Sequence, residues 1–235
     1  MPKKKQEAEP ELIDFYKHIP KNLLTKLPNP HYEKHHITVP FYGIIVGGTG
    51  AGKTQTLLNL LKKMNGTFEK IVLCLKSSQE PLYQWLINKI PEDQLEVFEN
   101  GIVPPVDDFK NAGSTLIVFD DLVTLKDQSP IKEFYTRGRK MHCSMLYCTQ
   151  SWFQTPKFVR IQCNHIIIKR LTSNRDLNLI ISEYGFTGMK KQIIKAYKDV
   201  TSESKIPFLM IRTDAEPEER FSKNFLQFLK IEDDI

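Results

Sequence analysis

No apolar run in this 235-residue chain approaches the roughly eighteen residues that a membrane-spanning helix requires, and the opening Met1-Pro2-Lys3-Lys4-Lys5 has no signal-peptide core. Neither a bilayer span nor secretion is therefore expected. Cysteine is scarce as well. Cys74, Cys143, Cys148 and Cys163 sit in or beside apolar runs, and no pair has zinc-ligand spacing. They read as reduced, mostly buried thiols of a cytosol-like compartment, which leaves out disulfide scaffolds and zinc modules. His31, His35 and His36 cluster without acidic or thiol partners arranged around them, and surface positions are expected for them. No internal repeat is visible, and with 40% hydrophobic residues the chain suits one sizeable core.

Glycine numbers only 11, yet four of these fall between positions 47 and 52, so the stretch has a purpose. Residues 47–54 read Gly-Gly-Thr-Gly-Ala-Gly-Lys-Thr, which fits G-x-x-x-x-G-K-[ST], the P-loop or Walker A pattern. Glycines let the backbone curl so that successive N–H groups point at phosphate oxygens, which a Cβ would obstruct. Gly47, Gly48, Thr49, Gly50, Ala51 and Gly52 are the expected cradle, with Lys53 reaching the β- and γ-phosphates and Gln55 following. The Thr54 hydroxyl is expected to ligate Mg²⁺. Phe41 to Val46 is an apolar, β-rich run before the loop. Gln55 to Lys63 carries its apolar residues on one helical face after it. That strand–loop–helix setting adds a helix N-terminus to the anion site. The competing reading is a glycine-rich turn that binds nothing.

Residues 1–38 read as an N-terminal arm, with Lys3 to Lys5 and Glu7 to Glu11 disordered and Phe15, Leu23 and Leu24 available to dock a short helix before Pro28-Asn29-Pro30. Residues 39–235 read as one ATPase-like domain in which strands and helices alternate. Strands are expected at 41–46, 70–75, 95–98, 115–119, 144–148, 165–169 and 206–211, the last closing the sheet. Helices are expected near 55–63, 81–90, 130–139, 174–184, 190–200 and, finally, 219–230. Near-continuous apolar strands argue for an α/β fold, a largely parallel sheet covered by helices on both faces.

Leu116-Ile117-Val118-Phe119-Asp120-Asp121 is a buried strand delivering two carboxylates at its C-terminal end, where ligands of open α/β sheets bind. This is the Walker B arrangement. Asp120 is expected to hold the Mg²⁺ shell, and Asp121 to polarise the attacking water as general base, with Glu80 a possible substitute. Gln150 follows the strand 144–148 and suits a sensor bridging the γ-phosphate and the water. Arg137 and Arg139, in Tyr135-Thr136-Arg137-Gly138-Arg139-Lys140, are candidates for the cation that neutralises the transferring phosphoryl group, because arginine is permanently charged and offers phosphate a rigid fork. Arg160 is a weaker candidate phosphate contact, and the alternative for all three is a basic surface.

This order of motifs, with the strand ending Cys148-Thr149-Gln150-Ser151, resembles the FtsK–HerA superfamily. The approach Pro28-Asn29-Pro30-His31-Tyr32 to Pro40-Phe41, and the later Pro156-Lys157-Phe158-Val159-Arg160, are similar to the genome-packaging ATPases of large eukaryotic DNA viruses and their virophages. The resemblance covers about residues 28–212. It implies a RecA-like (ASCE) core, ATP and Mg²⁺ as cofactors, and ATP-driven pumping of double-stranded DNA into a preformed capsid by a homo-oligomeric ring that meets capsid or portal proteins. The implied location is the host cytoplasm or viral factory, with virion association. By the resemblance, Lys53 and Thr54 match the Walker A pair, Asp120 and Asp121 Walker B, Gln150 the sensor, and Arg139 best matches a finger acting across subunits. The family often places His after that finger, whereas Lys140 stands here, which leaves Arg137 and Arg139 both open.

Lys and Arg outnumber Asp and Glu by only 33 to 28, but residues 136–200 hold twelve basic and three acidic residues. Such a segment points to a polyanion beyond the nucleotide, unless it is a set of solvated helix faces. For a motor that grips the DNA backbone without reading sequence, Lys157, Lys169, Arg170, Arg175, Lys190, Lys191 and Lys195 are candidate phosphate contacts. Trp152 and Phe153 read as core packing, with stacking on nucleotides as the alternative; Tyr42 or Phe153 could stack on the base of ATP. The alternatives to a packaging motor are a helicase-like translocase, a P-loop kinase, which Asp120-Asp121 and Gln150 disfavour, and a nucleotide-gated scaffold.

Overall fold

The strands that read as apolar on both sides form the middle of a single nine-stranded sheet. The computed structural model describes residues 13–234. Strands β1 (Tyr42–Val46), β2 (Lys70–Cys74), β3 (Leu95–Phe98), β4 (Thr115–Asp120), β5 (Cys143–Thr149) and β6 (His165–Ile168) run parallel. They are followed by β7 (Leu209–Arg212), β8 (Phe221–Lys223) and β9 (Gln227–Phe228), all antiparallel. The order across the sheet is β3-β2-β4-β5-β1-β6-β7-β8-β9. β1 therefore lies between β5 and β6, and β4 is one strand further out.

Alternate side chains of each strand enter separate cores. Ile44, Val46, Ile117, Phe119, Met145 and Tyr147 pack on one face against α3 (Ser129–Arg137), α5 (Asn174–Glu183) and α6 (Lys190–Ser202). Ile45, Leu116, Val118, Leu146 and Cys148 pack on the other against α1 (Lys53–Lys63) and α2 (Pro81–Ile87). This is the period of two expected of strands covered on both sides. Phe119 is fully buried at the centre of the first core, and its truncation to Ala would cost about 3–5 kcal/mol. A short helix, α4 (Lys157–Arg160), precedes β6. All four cysteines are buried and free.

Four expectations are corrected. Residues 219–230 form no helix. Phe221 and Phe225, four apart, enter opposite cores. Asn224 turns the chain between them at φ 55°, with its N–H donating to the Phe208 carbonyl at 2.9 Å. Consequently the strand near 206–211 does not close the sheet; β8 and β9 extend it. Phe15, Leu23 and Leu24 do not dock, because the segment makes only two 3₁₀ turns, Phe15–His18 and Lys21–Leu23, separated by Pro20, and all three side chains are exposed. The stretch 3–11 lies outside the described residues. His35 is not at the surface but fully buried: its Nδ1 accepts from the Ile37 N–H at 3.0 Å and its carbonyl accepts from Arg212 at 3.2 Å. Burial lowers its pKa to about 4. His36 is half-buried and pairs with Glu219 at 3.1 Å.

Candidate nucleotide site

The parallel strands all end on one edge, and the residues of interest gather there. The loop leaving β1 is pinned at its base: Gly47 N–H donates to the Thr149 carbonyl at 3.1 Å and Gly48 N–H to the Arg170 carbonyl at 2.9 Å. Gly50 (φ 69°) and Gly52 (φ 82°) take the left-handed turns that free the next N–H groups, a conformation costly for any residue with a Cβ. Gly52 then opens α1, so the helix N-terminus faces the concavity. Lys53 Nζ lies over the loop, 3.1 Å from the Gly47 carbonyl and 3.4 Å from that of Gly48. Gln55 points elsewhere, into a groove of about 700 Å³ between α1 and α2 that is lined by Leu58, Trp85 and Ile90.

Around the loop, three acids are each held by a hydrogen-bonding partner. Thr54 Oγ1 donates to Glu80 at 2.9 Å, and Tyr83 OH donates to Asp120 at 2.7 Å. Gln150 Nε2 donates to Asp121 at 3.2 Å while its Oε1 accepts from Thr49 Oγ1 at 2.9 Å, so Gln150 bridges the P-loop and the acid after β4. Lys76 Nζ stands 3.6 Å from Asp121. Asp121 occupies the left-handed region (φ 55°), a backbone setting that aims its carboxylate at Gln150 and one found often at functional sites. Burial raises the pKa of Asp120, opposed by the Tyr83 hydrogen bond and the Lys53 charge. Tyr83 is itself raised by burial and by Asp120, so it remains the donor.

The expected Lys53, Thr54, Asp120, Asp121 and Gln150 are thus brought together, with Glu80 beside them. Tyr83 and Lys76 were missed. Both belong to the segment following β2, and only the pairing of β2 with β4 brings that segment to the site.

Other expectations fall away from it. Arg137 and Arg139 lie before the first residue of β5 and Gln150 after the last, so the strand's seven residues, about 20 Å, separate them in one chain. Arg137 is paired with Asp107 (2.5 Å) and Glu133 (3.3 Å), whereas Arg139 is exposed and has no acid within ion-pair reach among the described residues. Tyr42 starts β1 at that same far edge, against Tyr135, and cannot reach the base of a nucleotide in its own P-loop. Arg160 is buried against Glu183 at 2.7 Å, and Lys169 is buried with its ammonium on the carbonyls of Lys205 (2.8 Å) and Ile206 (2.6 Å), so neither is a surface phosphate contact. Trp152 is core, its Nε1 donating to Glu183 at 2.7 Å. Phe153 is not: it is 49% exposed under the Arg175 guanidinium, 3.6 Å from the ring centroid.

Residues 29–215 match the family model described as Poxvirus A32 protein. The chain belongs to that family. The match bears out the resemblance to viral packaging ATPases drawn from the motifs. No curated relative matches the chain. Among solved structures, it is similar to the genome packaging NTPase B204 from Sulfolobus turreted icosahedral virus 2 in complex with ATP-gammaS, at 15% identity and a TM-score of 0.56 over 80% of this chain and 98% of that one. The DNA-packaging ATPase B204 from Sulfolobus Turreted Icosahedral Virus gives the same values. The cytoplasmic domain of the Thermomonospora curvata Type VII secretion ATPase EccC matches at 11% identity and a TM-score of 0.53, over 80% of this chain and 25% of that one. The fold is that of the P-loop ATPases, with a mostly parallel central sheet, as expected. No helix among the described residues is long and apolar enough to cross a membrane.

Proposed function

We propose that this protein is the ATPase of a viral genome-packaging motor, hydrolysing ATP to drive double-stranded DNA into a capsid within the infected cell. The observation that carries the chemistry is Gln150, held between Thr49 of the P-loop and Asp121 of the Walker B strand. A P-loop kinase must keep water from the γ-phosphate, whereas a carboxylate and an amide at this spot can orient water for in-line attack. The family and the B204 likeness supply the packaging context.

In this reading the N–H groups of residues 48–54 and the Lys53 ammonium bind the phosphates. The Thr54 hydroxyl and the Asp120 carboxylate are hard oxygen donors on the same side of the loop, with Glu80 adjoining, and that donor set fits Mg²⁺. Bound Mg²⁺ would neutralise charge on the β- and γ-oxygens. Asp121 accepts the proton of the attacking water, Gln150 aligns that water, and the Lys76 ammonium stands beside Asp121. Arg139 completes the site from a neighbouring subunit in a ring. Arg137 is the poorer finger because Asp107 and Glu133 already occupy it.

The test is Mg-ATP hydrolysis by purified protein with and without long double-stranded DNA, using Lys53→Ala as the blank. The expected result is turnover that DNA stimulates and that salt suppresses steeply. ATP binding with no hydrolysis under either condition would overturn the proposal.

A further inference from the structure

The basic segment contains one surface whose geometry reaches the P-loop. On α6, Lys191, Lys195 and Lys198 follow i, i+4, i+7 spacing, so they lie on one face of the helix, opposite the buried Ile193, Tyr197 and Val200. All three lysines are exposed, and none has an acid within ion-pair distance among the described residues. A row of unpaired ammonium groups rising along a helix matches the repeating phosphates of a duplex backbone rather than a single small anion.

The C-terminal end of the same helix is fastened to residues 169–171, the segment leaving β6. Arg170 Nη2 donates to the Thr201 carbonyl at 2.7 Å, and Tyr197 OH accepts from the Leu171 N–H at 2.8 Å. Lys169 Nζ gathers the carbonyls of Lys205 and Ile206, in the turn after the helix, at 2.8 and 2.6 Å. Residues 169–172 in turn form the wall behind the P-loop. The Arg170 carbonyl accepts from Gly48 N–H at 2.9 Å. A Cβ at Gly47 would stand 2.5 Å from Lys169 Cβ, one at Gly48 2.6 Å from Thr172 Oγ1, and one at Gly52 3.2 Å from the Lys205 carbonyl. Loop, wall and helix end therefore touch without a gap, and a shift in one must displace the next.

We infer that the Lys191–Lys195–Lys198 face of α6 grips the backbone of duplex DNA, and that the Lys169–Leu171 segment transmits that grip to the P-loop. The inference rests on the DNA-motor reading above. DNA on α6 and nucleotide on the P-loop then bias one shared arrangement of the wall, and each raises the affinity for the other by the same factor. Arg170, named above as a candidate phosphate contact, is assigned here as a positioning residue instead: its guanidinium is engaged by the Thr201 carbonyl, and its contact with Gly48 is through the main chain, which substitution leaves in place.

The experiment measures binding of a fluorescent duplex by the full-length protein, by anisotropy across a salt series, with and without ATP-gammaS. It compares wild type, Lys191→Ala/Lys195→Ala/Lys198→Ala and Arg170→Ala. Losing three phosphate contacts should reduce the slope of log K against log salt by about 2.7, at about 0.9 per contact. Arg170→Ala should keep the wild-type slope and DNA affinity in the absence of nucleotide, while the ATP-gammaS-induced gain in DNA affinity falls toward 1. A triple variant with the wild-type slope, or an Arg170→Ala protein with the full gain, would overturn the inference while leaving the motor reading intact. A wild-type protein that binds no duplex at all would sink both. Thermal melting of each variant separates misfolding from either effect, and Arg170→Lys, which retains a donor to Thr201, should recover part of the gain.

Discussion

The sharpest prediction concerns Arg139, which lies about 20 Å along β5 from Gln150 and so cannot serve the P-loop of its own chain. If it serves a neighbour's, Arg139→Ala and Asp121→Asn should each be close to inactive, since a finger is worth about 10³–10⁵ in kcat. Mixing them restores function at one kind of interface only, where an Arg139→Ala subunit supplies the intact Asp121 and its neighbour, an Asp121→Asn subunit, supplies the intact arginine. With random assembly at mole fractions x and 1 − x, that interface occurs with frequency x(1 − x), which peaks at about one quarter in an equimolar mixture of a head-to-tail ring. The assay is steady-state ATP turnover across the mixing series at fixed total protein, with co-assembly checked by sedimentation. A parabola reaching about 25% of wild-type turnover is expected, against a baseline orders of magnitude lower. Co-assembled mixtures that stay at the baseline would refute a shared site and point to action within one chain. Arg137→Ala should retain turnover, because its pairs with Asp107 and Glu133 are exposed and solvent-screened.

Three other outcomes follow from the geometry. Gln150→Ala cuts the bridge between Thr49 and Asp121 and should lower kcat by about 10²-fold or more with little change in ATP-gammaS affinity; equal losses in both would make Gln150 a binding residue. Tyr83→Phe leaves the half-buried Asp120 without its hydroxyl donor and should raise the Mg²⁺ concentration for half-maximal hydrolysis about 10–100-fold, with kcat recovered at excess Mg²⁺; an unchanged Mg²⁺ dependence would remove Tyr83 from the site. His35, depressed to about 4 in the folded protein against 6.5 when unfolded, binds its proton mainly in the unfolded chain. Its contribution to stability is therefore complete above pH 6.5 and is lost as pH falls toward 4, on the order of 2–3 kcal/mol, readable as a falling urea midpoint that His35→Gln should make shallower, with His165, also lowered to about 4 by burial, supplying the remaining slope.

What could be read from the chain was what is local to it. Residues 47–54 carry their own loop geometry, and Leu116 to Asp121 carries a strand together with its terminal acids, so both were legible before any tertiary contact was known. Glu80 was half legible: an acid after the second strand suggests chemistry, but only the placement of β2 beside β4 sets it on Thr54. Tyr83 and Lys76 arrive by the same non-consecutive pairing and gave no local signal, since a tyrosine two residues into an amphipathic helix reads as core. Lys169 and Arg160 were misread for the converse reason. A cation ending an apolar stretch looks solvated, and nothing nearby in sequence announces the Lys205–Ile206 carbonyls or Glu183 that bury it. The helix expected near 219–230 failed differently, because a left-handed Asn224 breaks the segment and sends Phe221 and Phe225, four apart, into opposite cores.

The sheet order also supports the proposal that a second subunit completes the site. β5 lies between β1 and β4, and so presents Gln150 between the P-loop and the Walker B acids. The helix that feeds β5, α3, must run back to the opposite edge before the strand can start in parallel, carrying Arg137 at its end and Arg139 in the 3₁₀ turn that follows. A parallel strand cannot offer both of its ends to one site. Sensor and finger, adjacent in the sequence and joined by a single strand, are therefore assigned to opposite edges of the molecule. In the proposed motor, the cation would reach a nucleotide only when a second copy brings its far edge to the first copy's P-loop. Hydrolysis tied to assembly in this way would restrict ATP consumption to subunits already in the proposed ring.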